Sequence, residues 1–358
     1  MIKCFEPNLT AADTDAVLKV LETKVLAFGP NVSQFEEDYK KFSKKKYNIG
    51  FNSASSAAYL LYQYLYEKHG PCRVYTPSNG FVSPVYAAIK NGHEVVFVDV
   101  DDDLLLDMEK LKNKIIRDNK KTIVMPVLYG GVSGIREAYE VCKEESAILV
   151  LDSAHCISPT MKYDYAFYSF HPVKPVCMGN GGLLSTDDKE ASEYMYSCRN
   201  FGRVQRGDSY DILHRGFNFY MNNLNASLGL SQLKRCLANA NTRRANFAYL
   251  RDGIPRNLGR FVEHDVGSSY YLSTLVLRPG DSSVIMRKYL RERGVEASFH
   301  YPFLHKSTAY AQRVTLPVLE SLEDRIINLP IHQQLEQEQL EKIVNECIHY
   351  SRSRRQSQ

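Results

Sequence analysis

Short apolar runs alternate with stretches of helical spacing along the first half of the chain. Most of these runs are continuously apolar, which is typical of strands that are buried on both faces. Strands separated by helices indicate βαβ units and a mostly parallel sheet that is flanked by helices. We therefore predict an α/β large domain with seven strands, at residues 47–51, 73–77, 94–98, 122–128, 147–151, 165–170 and 182–185.

The two ends of the chain follow other patterns. Two helices are predicted before the first strand, with Asn8 or Thr10 as the first N-cap and a break at Gly29-Pro30. Residues 189–250 read as mostly helical, and the later residues as an α+β mixture with a strand at 295–300. We predict an N-terminal segment and large domain at 1–250, a smaller α+β domain at 251–350 and a disordered tail at 351–358.

Composition and charge exclude several classes of protein. The 358 residues include 45 basic and 41 acidic side chains without a basic stripe, so we expect no nucleic-acid polymer as partner. No apolar run approaches the ~18–20 residues of a membrane span, and the N-terminus lacks the pattern of a secretory signal. The eight scattered cysteines form no Cys-x-x-Cys pair, which favours buried free thiols in the cytoplasm over a metal site or disulfides.

Polar residues follow several predicted strands at the point where each strand ends. Ligands of open α/β sheets bind beyond the carboxyl ends of the strands. Residues 53–56, Ser-Ala-Ser-Ser, precede a helix whose N-terminus could bind a phosphate, or they simply cap that helix. Asp152 ends an apolar strand and either faces the cleft or caps the next turn. His155 follows it, and a single histidine is more often structural than catalytic.

The most unusual segment is Ser169–Lys174, which a glycine-rich turn at Gly179–Gly182 follows. A lysine held between an apolar strand and a tight turn can form a Schiff base if its amine loses the proton, which in water occurs near a pKa of ~10.4. A phosphate site, a carboxylate and such a lysine at one sheet edge match pyridoxal 5'-phosphate (PLP). This cofactor needs an anion site, an acid at its pyridine nitrogen and an amine for its aldehyde.

Nearly the whole chain resembles the sugar aminotransferases of the DegT/DnrJ/EryC1/StrS family, which are PLP-dependent transferases of fold type I. The most specific likeness is the lysine segment with its glycine turn. Asp152–His155 resembles the family's Asp-x-Ala-His motif, and Asn52–Leu60 resembles its phosphate loop, with Ser55 and Ser56 in place of glycine and threonine. Further likenesses lie at residues 29–36, 216–221, 229–230, 300–305 and 329–332.

The resemblance implies a role for individual residues. Lys174 would bind the cofactor and move protons, and Asp152 would pair with the pyridine nitrogen. The residues implied in cofactor binding are Ser55, Ser56, Phe81, Asp152, His155, Ser169, Lys174 and Asn218. The sugar pocket would include His300, Tyr301 and His305.

Two of these residues have particular implications. Phe81 matches an aromatic residue that stacks on the cofactor ring, although plain core packing is the alternative. Asn218 is expected to reach the cofactor of a neighbouring subunit, which implies a homodimer with shared active sites. Three residues depart from the family pattern: Tyr220 stands where many members have arginine, Asn180 replaces an acid, and Ser55 replaces glycine.

The implied reaction is amination of a nucleotide-linked 4-keto-6-deoxy sugar, on dTDP or UDP, with L-glutamate as donor and pyridoxamine 5'-phosphate as the intermediate form of the cofactor. A product of the viosamine (4-amino-4,6-dideoxyglucose) or perosamine type is the specific expectation. The family's dehydratase branch has histidine where this chain has Lys174, which favours transamination. The alternatives are a 3-keto sugar, a non-catalytic PLP-binding relative, and another PLP reaction such as decarboxylation.

Overall fold

A seven-stranded sheet lies at the centre of this computed structural model, which describes residues 1–310 and 312–355. The strand order is β1-β7-β6-β5-β4-β2-β3, and only β7 runs antiparallel to its neighbours. The predicted α/β class with a mostly parallel sheet is confirmed. The strands are β1 (Tyr47–Phe51), β2 (Arg73–Pro77), β3 (Glu94–Val98), β4 (Thr122–Val124), β5 (Ile148–Asp152), β6 (Tyr165–Ser169) and β7 (Gly182–Thr186).

Helices cover both faces of the sheet. Val150 belongs to one apolar cluster, whereas its neighbours Leu149 and Leu151 belong to another, because successive side chains of a strand point to opposite faces. Continuously apolar strands therefore follow from burial on both sides. The helices of this part are α1 (Ala11–Thr23), α2 (Pro30–Ser43), α3 (Ala54–His69), α4 (Val82–Lys90), α5 (Met108–Lys114), α6 (Ala138–Glu144), α7 (Lys189–Cys198), α8 (Asn223–Leu233) and α9 (Cys236–Gly253).

A two-stranded hairpin interrupts the region that was predicted to be mostly helical. Strands β8 (Arg203–Arg206) and β9 (Ser209–Ile212) pair antiparallel, and nearly all of their residues are exposed. Gly202 and Gly207 have positive φ angles, which favour turns at these positions. The helical prediction is wrong here because an exposed hairpin has no apolar face to mark it in the sequence.

The C-terminal part contains a three-stranded antiparallel sheet with its own apolar cluster. Its elements are β10 (Gly259–Phe261), β11 (Ser273–Leu277), α10 (Ser283–Glu292), α11 (Pro317–Ser321), β12 (Ile326–Leu329) and α12 (Gln337–Arg355). The predicted strand at 295–300 is not formed, and only isolated bridges at Val295 and Ser298 remain. The domain division at residue 250, which falls inside α9, stays a prediction.

The last helix is longer than expected. α12 continues to Arg355, so residues 351–355 are helical rather than part of a disordered tail, and 356–358 lie outside the described residues. Buried Ser351 and an ion pair between Arg354 and Asp281 hold this end against the C-terminal sheet region. All eight cysteines are free and buried, as predicted. Within the described part of the chain, no helix is both long and apolar enough to cross a bilayer.

Candidate active site

A cavity of about 400 Å³ opens at the carboxyl ends of β5 and β6. This is the edge of the sheet at which ligands of α/β folds bind. Its walls come from the start of α3, the loops after β2, β5 and β6, and the C-terminal part of the chain. Its lining residues include Ser53, Ala54, Ser55, Phe81, Asp152, His155, Ser169, Lys174, Asn180, Tyr271, His300 and Tyr301.

Asp152 ends β5 with its side chain buried in the wall of the cavity. Burial raises the pKa of its carboxyl to about 6, against the opposing effects of the Ala154 N–H and the Lys174 charge. The Ala154 N–H donates to Asp152 Oδ1 at 3.0 Å. Both readings of the sequence therefore hold, because one oxygen supports the turn while the side chain also faces the cavity.

Lys174 lies on the loop after β6, where a tight turn holds it. The Lys174 N–H donates to the carbonyl of His171, and Phe170 anchors both ends of the loop by bonds with Gly181 and Met178. Burial lowers the pKa of the amine to about 7, and the Asp152 charge partly opposes this shift. A substantial fraction of the amine is thus unprotonated near neutral pH, as nucleophilic lysine chemistry requires.

His155 is buried one turn beyond Asp152. Its Nε2 lies 2.9 Å from the hydroxyl of Tyr301, and its Nδ1 is buried without a hydrogen-bond partner among the described residues. Burial lowers the pKa of the imidazole well below its usual value, and the charges of Lys174 and His300 act in the same direction. The ring is therefore neutral, with one nitrogen left for a group in the cavity.

The N-terminus of α3 forms the other end of the cavity. Ser53 caps the helix by accepting the Ser56 N–H at 3.1 Å, and Ser53, Ala54 and Ser55 line the cavity. Ser56 does not line it, contrary to the prediction, because its hydroxyl donates to Asn52 Oδ1 at 2.6 Å. Of the two serines predicted for the anion site, Ser55 therefore lines the cavity and Ser56 does not. Ser169 lines the same cavity.

Three of the remaining predicted residues lie in the cavity. Phe81 is 51% exposed, and its ring centroid is 5.5 Å from that of Tyr301. His300 lies beside Tyr301 in the wall, and burial together with the Lys174 charge lowers the pKa of its imidazole to about 4. These rings line the same cavity as Lys174.

Two predicted residues lie elsewhere. His305 does not line the cavity, contrary to the prediction, because its buried ring lies between Ser78 Oγ at 2.7 Å and Glu320 Oε1 at 3.3 Å. Asn218 is exposed outside the cavity, and its carbonyl accepts a hydrogen bond from Asn52. Tyr271 also lines the cavity and was not predicted, because a single tyrosine beside an apolar strand carries no signal of its position in the fold.

The residues present fit PLP. The buried Asp152 carboxyl can pair with a pyridine nitrogen, the Lys174 amine with an aldehyde, and the start of α3 with a phosphate. The free Nδ1 of buried His155 is a polar atom that the protein alone leaves without a partner. A flat polar ring in this cavity would supply one.

Comparisons with known proteins agree with this chemistry. The model of the DegT/DnrJ/EryC1/StrS aminotransferase family matches residues 7–348. The UDP-4-amino-4,6-dideoxy-N-acetyl-beta-L-altrosamine transaminase of Helicobacter pylori is 28% identical, with 96% of both chains covered. The solved structure of Helicobacter pylori PseC, an aminotransferase involved in the biosynthesis of pseudoaminic acid, superimposes with a TM-score of 0.92 at 26% identity, covering 98% of this chain and 99% of that one.

The aminotransferase TlmJ from Streptoalloteichus hindustanus is a further structural neighbour. Its TM-score is 0.89 at 28% identity, with 97% of this chain and 98% of that chain covered. The fold is thus that of the PLP-dependent transferases of fold type I, and the cofactor is PLP. The chain belongs to the DegT/DnrJ/EryC1/StrS family and is a PLP-dependent nucleotide-sugar aminotransferase.

Proposed function

We propose that the protein transfers an amino group from L-glutamate to C4 of a nucleotide-linked 4-keto-6-deoxy sugar. The observation that carries the proposal is a lysine amine and a buried carboxyl in one cavity with a helix N-terminus. The name of the Helicobacter pylori relative contains a 4-amino-4,6-dideoxy sugar on UDP, which favours C4 over C3 and UDP over dTDP. A product of the 4-amino-4,6-dideoxyglucose (viosamine) type is the simplest member of this class.

PLP, when bound, supplies an aldehyde that carries the amino group and a ring that accepts electrons. Asp152 would keep the pyridine nitrogen protonated by pairing with it from a buried position. Ser53, Ser55 and the N–H groups at the start of α3 would hold the phosphate, with Ser169 beside them. His155 would orient the ring through Nδ1, and Phe81 would cover its face.

Lys174 would act as general acid and base at the carbon atoms that gain or lose a proton. An amine with a pKa of about 7 has both forms present at neutral pH, which suits proton transfer in either direction. His300 and Tyr301, which line the cavity, would bind the sugar and exclude water. Because burial keeps His300 neutral, it would bind hydroxyl groups rather than the diphosphate.

Asn218 would complete the site of a neighbouring subunit in a homodimer, since it is exposed outside its own cavity. The eight reduced cysteines fit a cytoplasmic enzyme, because such thiols persist in a reducing compartment.

A panel of keto sugars tests the proposal. The purified protein is incubated with PLP, L-glutamate and each of the UDP- and dTDP-linked 4-keto-6-deoxy and 3-keto hexoses, and the aminated product is detected by mass. We expect a 4-amino product on UDP and none with Lys174→Ala. Turnover by Lys174→Ala would exclude the lysine assignment. A protein that binds PLP but aminates none of these sugars would instead favour a non-catalytic PLP-binding relative.

A further inference from the structure

Tyr271 lines the cavity against the lysine that the proposed function uses. It precedes β11, is 4% exposed, and its ring centroid lies 4.3 Å from Lys174 Nζ. No described residue forms a hydrogen bond with this amine. The contact that the structure shows for it is the face of the Tyr271 ring. Ammonium groups within about 6 Å of an aromatic centroid are attracted by the negative face of the ring.

Other contacts fix the orientation of the Tyr271 ring. Phe5 stacks on it with centroids 5.4 Å apart and an angle of 25° between the planes. The His155 ring lies 4.4 Å away. The Tyr271 backbone N–H donates to the carbonyl of Gly130 at 2.9 Å. A ring held by the N-terminal segment, the large sheet and the C-terminal part has little freedom to move away from the amine.

The hydroxyl of Tyr271 is buried without a hydrogen-bond partner among the described residues. Burial raises the pKa of the phenol well above its usual value, although the charge of Arg243 opposes this shift. The hydroxyl therefore stays protonated at neutral pH, and the part of Tyr271 that contacts the Lys174 amine is the ring face.

We propose that Tyr271 is a positioning residue whose ring face holds the free amine of Lys174 in the cavity and stabilises its protonated form. The inference rests on the proposed role of Lys174 as the reacting amine. A cation over a ring is stabilised by an amount that corresponds to roughly 0.4–1.5 pKa units. The ring thus limits the fall in the pKa of Lys174 that burial causes.

Other charged and titratable groups also act on this amine. Asp152 favours its protonated form, whereas His155, His300 and His171 lie close enough to be affected by its charge. A smaller residue at 271 would admit water and change all of these effects together. A test must therefore alter the charge distribution of the ring and leave its shape unchanged.

The experiment uses PLP-free protein with Tyr271→Phe and with pentafluorophenylalanine at position 271, which reverses the polarity of the ring face at nearly the same shape. A limiting dose of an amine-reactive anhydride is applied between pH 5 and 11, and the labelling of each lysine is read by peptide mass spectrometry. Lys162, which lies 5.4 Å from the Tyr139 ring, serves as an internal control. Thermal unfolding verifies that each variant is folded.

We expect the pKa of Lys174 to be the same with tyrosine and phenylalanine and to fall by roughly one unit with the fluorinated ring, while that of Lys162 stays constant. Equal pKa values for phenylalanine and its fluorinated form would overturn the proposal, as would a large shift in Tyr271→Phe. The measurement needs no sugar or donor. A failure here therefore leaves the proposed reaction standing, and a failure of the sugar panel leaves this result standing.

Discussion

Lys174 and Asp152 have pKa values displaced toward each other, about 7 for the amine and about 6 for the carboxyl. Burial is the main cause for both, because it disfavours the charged form of either group. Their mutual attraction opposes burial in each case. The cavity therefore holds two groups that both titrate near neutral pH, a pattern that is enriched at catalytic sites.

The depressed pKa of Lys174 predicts how stability depends on pH. Between its pKa of about 7 when folded and about 10.5 when unfolded, the unfolded chain binds more protons, so a rise in pH through this window stabilises the folded state. As the pH rises through this window, the free energy of unfolding of PLP-free wild type should increase relative to that of Lys174→Met. The increase is at most about 5 kcal/mol. Urea unfolding at pH 7, 8.5 and 10 measures it, and a constant difference would contradict it.

At the same scale, the sequence identifies some residues of the cavity and misses others. Asp152 ends a strand and Lys174 follows one, so the order of elements alone predicts their place at the sheet edge. Ser53 lines the cavity where Ser56 was predicted. The difference depends on side-chain geometry, because Ser53 caps α3 and the Ser56 hydroxyl donates to Asn52. Tyr271 lies 97 positions beyond Lys174 in the sequence and reaches the cavity by packing, which no local pattern encodes.

At the scale of elements, the approach of β7 to the start of α3 shapes the proposed phosphate site. A Cβ atom on Gly182 would overlap the backbone of Ser53 and Ala54. The strand β7 and the N-terminus of α3 can therefore approach this closely only because residue 182 is a glycine.

Gly182→Ala should push the start of α3 away and weaken PLP binding about 10- to 100-fold, as expected for overpacking of about 1–3 kcal/mol. Titration of the PLP-free protein with PLP, followed by absorbance, measures the affinity. Gly134→Ala is the matched control, because a Cβ there meets only ordinary contacts at 3.6 Å or more. Equal affinities for the two variants would show that the close approach is not needed.

A buried ion pair joins α2, β1 and α7. Glu36 and Arg199 form it, with side chains 9% and 3% exposed. Glu36 Oε1 also accepts the Gly50 N–H at 2.7 Å, and Arg199 donates to the Gly50 carbonyl at 2.6 Å. The pair therefore also holds β1, an edge strand of the sheet, through the backbone N–H and carbonyl of Gly50.

Glu36→Gln should lower the free energy of unfolding by about 3–5 kcal/mol, because it leaves the Arg199 charge buried without a counter-charge. Thermal and urea unfolding measure the loss. Glu193→Gln removes one partner of the exposed pair with Lys189 and should change stability by less than about 1 kcal/mol. Similar losses in both variants would show that burial of the pair does not determine its contribution.

Prediction of elements succeeds where burial leaves a pattern and fails where it does not. The strands at 47–51, 73–77 and 94–98 have the predicted bounds, because most of the residues in each are buried. The exposed hairpin Arg203–Ile212 was missed, since neither strand has a buried face. Residues 295–300 look like a strand because they are partly apolar, but they pair only at single bridges.

At the scale of the whole molecule, the cavity needs distant parts of the chain. The large sheet supplies Asp152 and Lys174, whereas residues 271, 300 and 301 come from the C-terminal part. The shape of the cavity thus depends on how the two parts fit together. Asn218 stays on the outer surface, and the proposed homodimer would place it at the cavity of a second subunit.

Mixing two inactive variants tests this arrangement. Lys174→Ala and Asn218→Ala chains are unfolded together, refolded in equal amounts and assayed with the keto sugar. If Asn218 acts across the dimer, a mixed dimer has one complete site, in which Lys174 of one chain meets Asn218 of the other. Half of the dimers are then mixed, and in each of these one of the two sites is complete. About a quarter of wild-type activity should therefore return. If Asn218 acts within its own chain, every site lacks one of the two residues and no activity returns.

Two controls accompany the mixing experiment. Asn218→Ala alone must lose most of the activity, and refolded wild-type protein defines full activity.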